Sequence, residues 1–172
     1  MTGHPQWYAL SVKHQHERRA ATALGWKGFE ALAPTYRSRR QWSDRSKSLD
    51  RPLFSGYVFC RFDFAERIPV LDTPGVARIV GLGRGPAPVA DAEIAAIRMA
   101  VASKLPVSPW PHLKPGDRIC IEHGPLRGVQ GILLKEKDSL RLVVGVELLQ
   151  RSIAVELEPE SIVPLRALCA RA

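Results

Sequence analysis

LKPGDRICIEHGPLRGV, residues Leu113 to Val129, sets the character of the second half of the chain. Pro115-Gly116 is a tight-turn dipeptide, Ile119 and Ile121 share one side of a strand, and Gly124 and Gly128 bracket a further loop. Beyond it the alternation resumes at Ile132 and Leu134. It continues through Leu140, Leu142, Val144, Val146 and Leu148, and again through Ile153, Val155 and Leu157. A period of two repeated over short runs predicts five strands forming a small β-barrel. The leucines, glutamates and lysines of Leu133 to Leu157 also have good helix propensity, but the glycines and the β-branched alternation favour a stable barrel.

With Gly131 added, this succession of turn, strand and glycine-bearing turn resembles the KOW motif of NusG-type transcription factors and of some ribosomal proteins. Just upstream, LPVSPWPHLKP carries Pro106, Pro109, Pro111 and Pro115, too many for a helix or a central strand. The spacing therefore predicts an extended linker over 105–115, joining an N-terminal domain over 1–104 to a KOW domain over 116–172.

The N-terminal text mixes two periods. Trp7 to Val12 reads as a strand, and Gln15 to Leu24 as a helix with Ala20, Ala21 and Leu24 on one face and Gly25 as its stop. Extended runs follow at Phe29 to Ala33 and Thr35 to Trp42, then an aromatic strand from Phe54 to Phe62. Ile68 to Asp72 suits a short helix with Pro69 in its first turn, and Val76 to Val80 a strand. In the last element, Asp91 to Ser103, Ile94, Ile97 and Val101 mark the apolar face of a helix. The fold class expected is α+β, an antiparallel sheet packed with helices and linked to the barrel.

Charge divides the chain in the same way. Up to Leu105 there are 16 Lys and Arg against 9 Asp and Glu, a net +7, whereas Pro106 to Ala172 holds 9 against 8, a net +1. The first part thus suits contact with a polyanion and the second a protein contact or a structural role. Cys60, Cys120 and Cys169 are odd in number and far apart, which suggests neither a disulfide framework nor a thiolate metal site. His14 and His16 lack a third ligand at useful spacing, and no paired-carboxylate or nucleophile signature is present, so no enzyme, metal or cofactor is expected. No apolar run approaches the ~18 residues of a membrane span, and the opening MTGHPQWYALSV lacks the marks of a signal peptide, which predicts a cytoplasmic protein.

Three N-terminal motifs extend the resemblance over nearly the whole chain. WYALSVKHQHERRAATAL resembles the opening strand and helix of the NusG N-terminal domain. RPLFSGYVF, Arg51 to Phe59, resembles its Leu-Phe-Pro-Gly-Tyr-Val signature, with Ser55 where the family usually has proline. DTPGV, Asp72 to Val76, resembles its Asn-Thr-Pro-Gly-Val.

The resemblance implies a pocket for the clamp helices of the largest catalytic subunit of RNA polymerase, assigned here to Tyr8, Leu53, Phe54, Tyr57 and Phe59 with Arg19 as a rim charge. Strand alternation sets Tyr57 and Phe59 on one face and Phe54 and Val58 on the other, subject to distortion at Gly56. The competing reading is plain core for the aromatics and a solvated helix face for Arg19. Operon-specific relatives resembling RfaH contact the displaced non-template DNA strand near the first turn. Lys13, His14, His16 and Arg18 match that neighbourhood here, and histidine stacking with lysine neutralisation of phosphate suits a single strand.

The basic run from Arg37 to Arg51, with Arg39 and Arg40, reads as an exposed hairpin or loop suited to upstream DNA, or simply as a solvated loop. GLGRGPAP, from Gly81, lacks the lysine and the strand-to-helix setting of a phosphate loop and reads as a connector. The function implied is a specialised elongation factor that suppresses pausing and promotes antitermination, with Rho or a ribosomal small-subunit protein as partner of the second domain. A housekeeping factor assisting Rho-dependent termination is the neighbouring alternative. A ribosome-associated RNA-binding protein is a further one, disfavoured by the near-neutral KOW half.

Overall fold

The computed structural model describes residues 4–42, 45–83, 85–111, 118–121, 124–136, 139–157 and 162–164. They form two compact units that divide between Asp91 and Ala92. The Pro115-Gly116 turn and Cys169 lie outside the described residues.

The first unit is organised around β1 (Gln6–Val12), which pairs antiparallel with β5 (Tyr57–Phe62), β6 (Val76–Ile79) and β9 (Pro88–Val89). β2 (Glu30–Leu32) joins on the far side of β5 and completes a five-stranded sheet. Register sets Tyr8 opposite Cys60 and Leu10 opposite Val58. Because successive side chains point to opposite faces, Tyr8, Leu10, Val58, Cys60 and Phe62 share one face, and Trp7, Ala9, Tyr57 and Phe59 share the other. α1 (Glu17–Trp26) packs Ala20 and Leu24 onto the first of these faces, and α2 (Arg67–Leu71) adds Val70. Each fully buried side chain of leucine size contributes about 1.5–3 kcal/mol relative to exposure.

Two boundaries differ from expectation. α1 begins at Glu17 and runs through Gly25 to Trp26, because Gly25 lies on the solvent side, where its lack of a side chain costs no packing. The aromatic strand starts at Tyr57 and not at Phe54, since Gly56 takes the left-handed region (φ 82°) and closes a turn ahead of it. The basic run does form a hairpin: β3 (Thr35–Trp42) pairs with β4 (Arg45–Pro52) from Thr35 opposite Pro52 to Trp42 opposite Arg45. The glycine-rich connector is a small hairpin of β7 (Gly81–Leu82) and β8 (Gly85–Pro86).

The second unit contains α3 (Asp91–Ala102) from Ala92 onward, together with a six-stranded antiparallel sheet. Its strands are β10 (Val107–Pro111), β11 (Arg118–Ile121), β12 (Gln130–Glu136), β13 (Ser139–Val146), β14 (Arg151–Leu157) and β15 (Ile162–Pro164). They lie in the order β10-β14-β13-β12-β11-β15. In α3, Ile94 and Ile97 are buried as the spacing predicts, but Val101 is exposed and Ala100 is the buried residue of the last turn. The inward residues of the alternating runs, among them Leu142, Val144, Val146, Ile153 and Val155, form the core.

Two expectations are corrected here. The proline-rich segment is not simply a linker: Val107–Pro111 pairs with β14, Val107 opposite Val155 and Trp110 opposite Ser152. Proline lacks the N–H of a central strand but is tolerated at an edge, and β10 is the edge. The barrel is corrected as well, because the sheet ends at β10 and β15 and does not close among the described residues. Gly131 sits where β12 and β13 approach closely, and a Cβ there would lie 2.5 Å from the Val143 carbonyl oxygen.

Candidate functional site

Three loops, each carrying one of the sequence motifs, converge at one end of the first-unit sheet. The chain leaves β1 through Lys13 to His16, and the Val12 and Lys13 amides donate to the carbonyls of Gly56 (2.9 Å) and Gly75 (2.8 Å). Glu17, in the first turn of α1, accepts the Gly56 N–H on Oε1 at 2.7 Å. Gly75 lies against the side chain of His16, where a Cβ would come within 3.0 Å of the His16 Cβ. Residues far apart in sequence thus hold one another through backbone groups. The β1–α1 turn, the Phe54–Tyr57 turn and the Thr73–Val76 turn form one assembly. Gln15, with φ 62°, bends the first of them.

The candidate polymerase-binding residues separate across the sheet. Tyr8 lies on the helix-covered face with its ring 4.8 Å from that of Phe62, and burial, followed by the nearby Asp63 carboxylate, raises its phenol above the ordinary range. Arg19 is exposed on α1, the helix that packs on this same face. Tyr57 and Phe59 occupy the opposite face, and Phe54 meets Phe59 edge to face at 5.2 Å. The expected placement of Phe54 with Val58 fails because the left-handed Gly56 interrupts the alternation.

Leu53, Phe54 and Phe59 are 3%, 1% and 0% exposed and pack in the interior of the chain. Tyr57 is half-buried and is the member of this set that presents surface on its face.

Among the basic candidates, Lys13, His14 and Arg18 are exposed around the β1–α1 turn. His16 is half-buried, its Nδ1 3.0 Å from the His14 carbonyl oxygen. Arg37 projects from the hairpin, and its 4.0 Å approach to Asp50 is a surface pair of small energetic weight. The side chains of Arg39 and Arg40 lie outside the described residues. Among the described residues no group of three or more His, Cys, Asp or Glu side chains is placed to hold a metal ion.

The NusG family, described as "Transcription termination factor nusG", matches residues 5–98, more than half of the chain. The chain belongs to the NusG family of transcription factors. A curated relative, the transcription termination/antitermination protein NusG of Campylobacter jejuni, is 27% identical over 132 residues, 74% of either chain. Among solved structures, one titled "Domain interaction in Thermotoga maritima NusG" aligns with 94% of this chain and 97% of its own at a TM-score of 0.52 and 22% identity, a likeness of fold.

Within this NusG-family chain, two residues, one on the Tyr57 face and one in the loop assembly, were not singled out from the sequence. Trp7 pairs across the ladder with Arg61 and shares the Tyr57 face, as counting by two along β1 would have shown once the register was known. Glu17 is the acid in the first turn of α1, and only the tertiary fold gives it the Gly56 amide.

Proposed function

We propose that the chain is an elongation factor that binds RNA polymerase through the Tyr57 face of its first unit and meets the displaced non-template strand with Lys13, His14 and Arg18. The observation that carries this reading is the convergence of the three motif-bearing loops, which sets an aromatic face beside an exposed basic turn. Aromatic anchors dominate protein interfaces, and exposed cations supply the sequence-independent attraction to phosphate. The mechanism is mechanical. A factor gripping polymerase and the bubble together favours the closed, elongating state over the paused one.

The basic hairpin bearing Arg37, Arg39 and Arg40 contacts upstream DNA. The second unit recruits a further partner, Rho or a ribosomal small-subunit protein. A specialised, pause-suppressing role is the primary reading, motivated by Ser55 in the turn and the His-rich basic loop. The Campylobacter relative is named a termination/antitermination protein, which keeps a Rho-assisting role as the second reading.

Single-round transcription through a pause site, with and without Rho, separates the two. Shorter pauses and more full-length transcript on adding the chain support the primary reading. More Rho-dependent termination supports the second, and no effect in either assay contradicts both.

A further inference from the structure

We propose that Glu17 is a positioning residue: its carboxylate fixes the Ser55-Gly56 turn, and through it Tyr57, against the basic turn that opens α1. The proposal rests on the polymerase-binding reading of Tyr57 for its functional consequence, but its structural content stands apart from that reading.

An acid in the first turn of a helix normally lies in solvent, where it favours the helix dipole at no desolvation cost. Glu17 instead is only 5% exposed, and its Oε1 accepts the Gly56 N–H at 2.7 Å. Removing a carboxylate from water is costly unless its oxygens are bonded, and a residue needed only to fill space would be apolar. A short bond from a backbone N–H to a carboxylate is directional and stronger than its neutral counterpart.

The peptide groups of Gly56 are held on both sides. Its N–H is bound by Glu17, and its carbonyl accepts the Val12 amide at 2.9 Å. Gly56 at φ 82° is conformationally the most permissive residue of the turn, so without restraint it has the most freedom to move. Tyr57 is the next residue and opens β5, and its own amide donates to the Phe54 carbonyl at 3.0 Å across the turn. Glu17 thereby ties a residue flanking the DNA-facing loop to the residue that leads into the polymerase-facing side chain.

The test uses the full chain with Glu17→Met, which keeps length and volume but removes the acceptor, and Glu17→Gln, which keeps an acceptor oxygen without the charge. Amide exchange at Gly56 by NMR and polymerase affinity are read on each, alongside thermal unfolding. Glu17→Met is expected to speed Gly56 exchange and weaken polymerase binding, each by about tenfold, the loss of one charge-assisted hydrogen bond. Glu17→Gln is expected to restore both to within about threefold of wild type.

Wild-type Gly56 protection in folded Glu17→Met overturns the proposal. So does Glu17→Gln failing as fully as Glu17→Met while still folded. If Glu17→Met does not fold, Glu17→Ala takes its place under the same criteria. Should the wild type bind no polymerase, the polymerase reading falls, while Gly56 exchange still judges Glu17.

Discussion

The two units are both antiparallel sheets, yet they distribute their chemistry differently. Of the 12 aromatic residues of the chain, 11 lie at or before Phe64, and Trp110 is the one that follows. The first unit uses them as ring pairs on both faces of its sheet, Tyr8 with Phe62 and Phe54 with Phe59, and leaves Tyr57 half-exposed beside a basic turn. The second unit fills its core with Leu142, Val144, Ile153 and Val155, and its one aromatic sits on the edge strand. Rigid rings with directional edges suit recognition, whereas aliphatic alternation mainly suits a sheet. On the proposed reading, that contrast is why recognition is sought in the first unit and a further partner in the second.

The sharpest way to break this contrast is to truncate a buried ring. Phe59→Ala is expected to cost about 3–5 kcal/mol of stability, measured by denaturant unfolding, because it removes a 0% exposed side chain from its contact with Phe54. A loss below ~1 kcal/mol would mean that Phe59 is surface and the contrast is drawn in the wrong place. In the second unit, Gly131→Ala is expected to destabilise by about 1–3 kcal/mol, because the added methyl meets the Val143 carbonyl. An unchanged midpoint would show that β12 and β13 have room to part.

Smaller effects sharpen the same comparison. Arg141 lies 5.0 Å over the Trp110 ring and 3.7 Å from Glu156, joining β13 to the edge strand across β14. Trp110→Ala is expected to cost about 0.5–1 kcal/mol from the cation–π contact, together with some lost packing, and to raise amide exchange along β14. Unaltered exchange there would return the proline segment to the status of a linker. The least perturbing probe is chemical. Burial, and after it the Glu30 carboxylate, disfavour the thiolate of Cys60 and push its thiol up to about 12.

Cys60 in the folded chain is therefore expected to resist alkylation at neutral pH, and half-buried Cys120 to react ahead of it. A thiol whose folded pKa lies above its unfolded value of 9.0 holds its proton longer when folded. Its favourable share of stability is thus full below pH 9 and is lost as pH climbs toward 12.

Much of the fold was legible because its signals are local. Alternation marks strands, and Ala20 with Leu24 marks the buried face of α1. What local signals cannot convey is which strands become neighbours. Nothing in VSPWP says that it pairs with β14, since an edge strand tolerates the prolines that would exclude it from the middle of a sheet. Closure of the predicted barrel was likewise a statement about neighbours, and among the described residues the order runs open from β10 to β15.

At the site, the loops that converge are the ones that carry the motifs. Motifs do not say which face a side chain takes, and so Tyr8 was grouped with Tyr57 although the register sets them on opposite sides. Burial of Leu53, Phe54 and Phe59 follows from packing around a turn that Gly56 reverses, a tertiary effect invisible to periodicity.

The central claim, that half-buried Tyr57 anchors the first unit on RNA polymerase, is tested most directly by comparing polymerase binding of the wild type and Tyr57→Ala, with folding verified for each. Tyr57 is the suitable target because, unlike Phe59, it is not fully buried, so its truncation leaves the core intact. The account predicts that the wild type retains polymerase and that the folded variant loses at least about tenfold in affinity, the scale of an interface anchor. A folded Tyr57→Ala that binds as tightly as wild type, or a wild type that binds no polymerase at all, would contradict it.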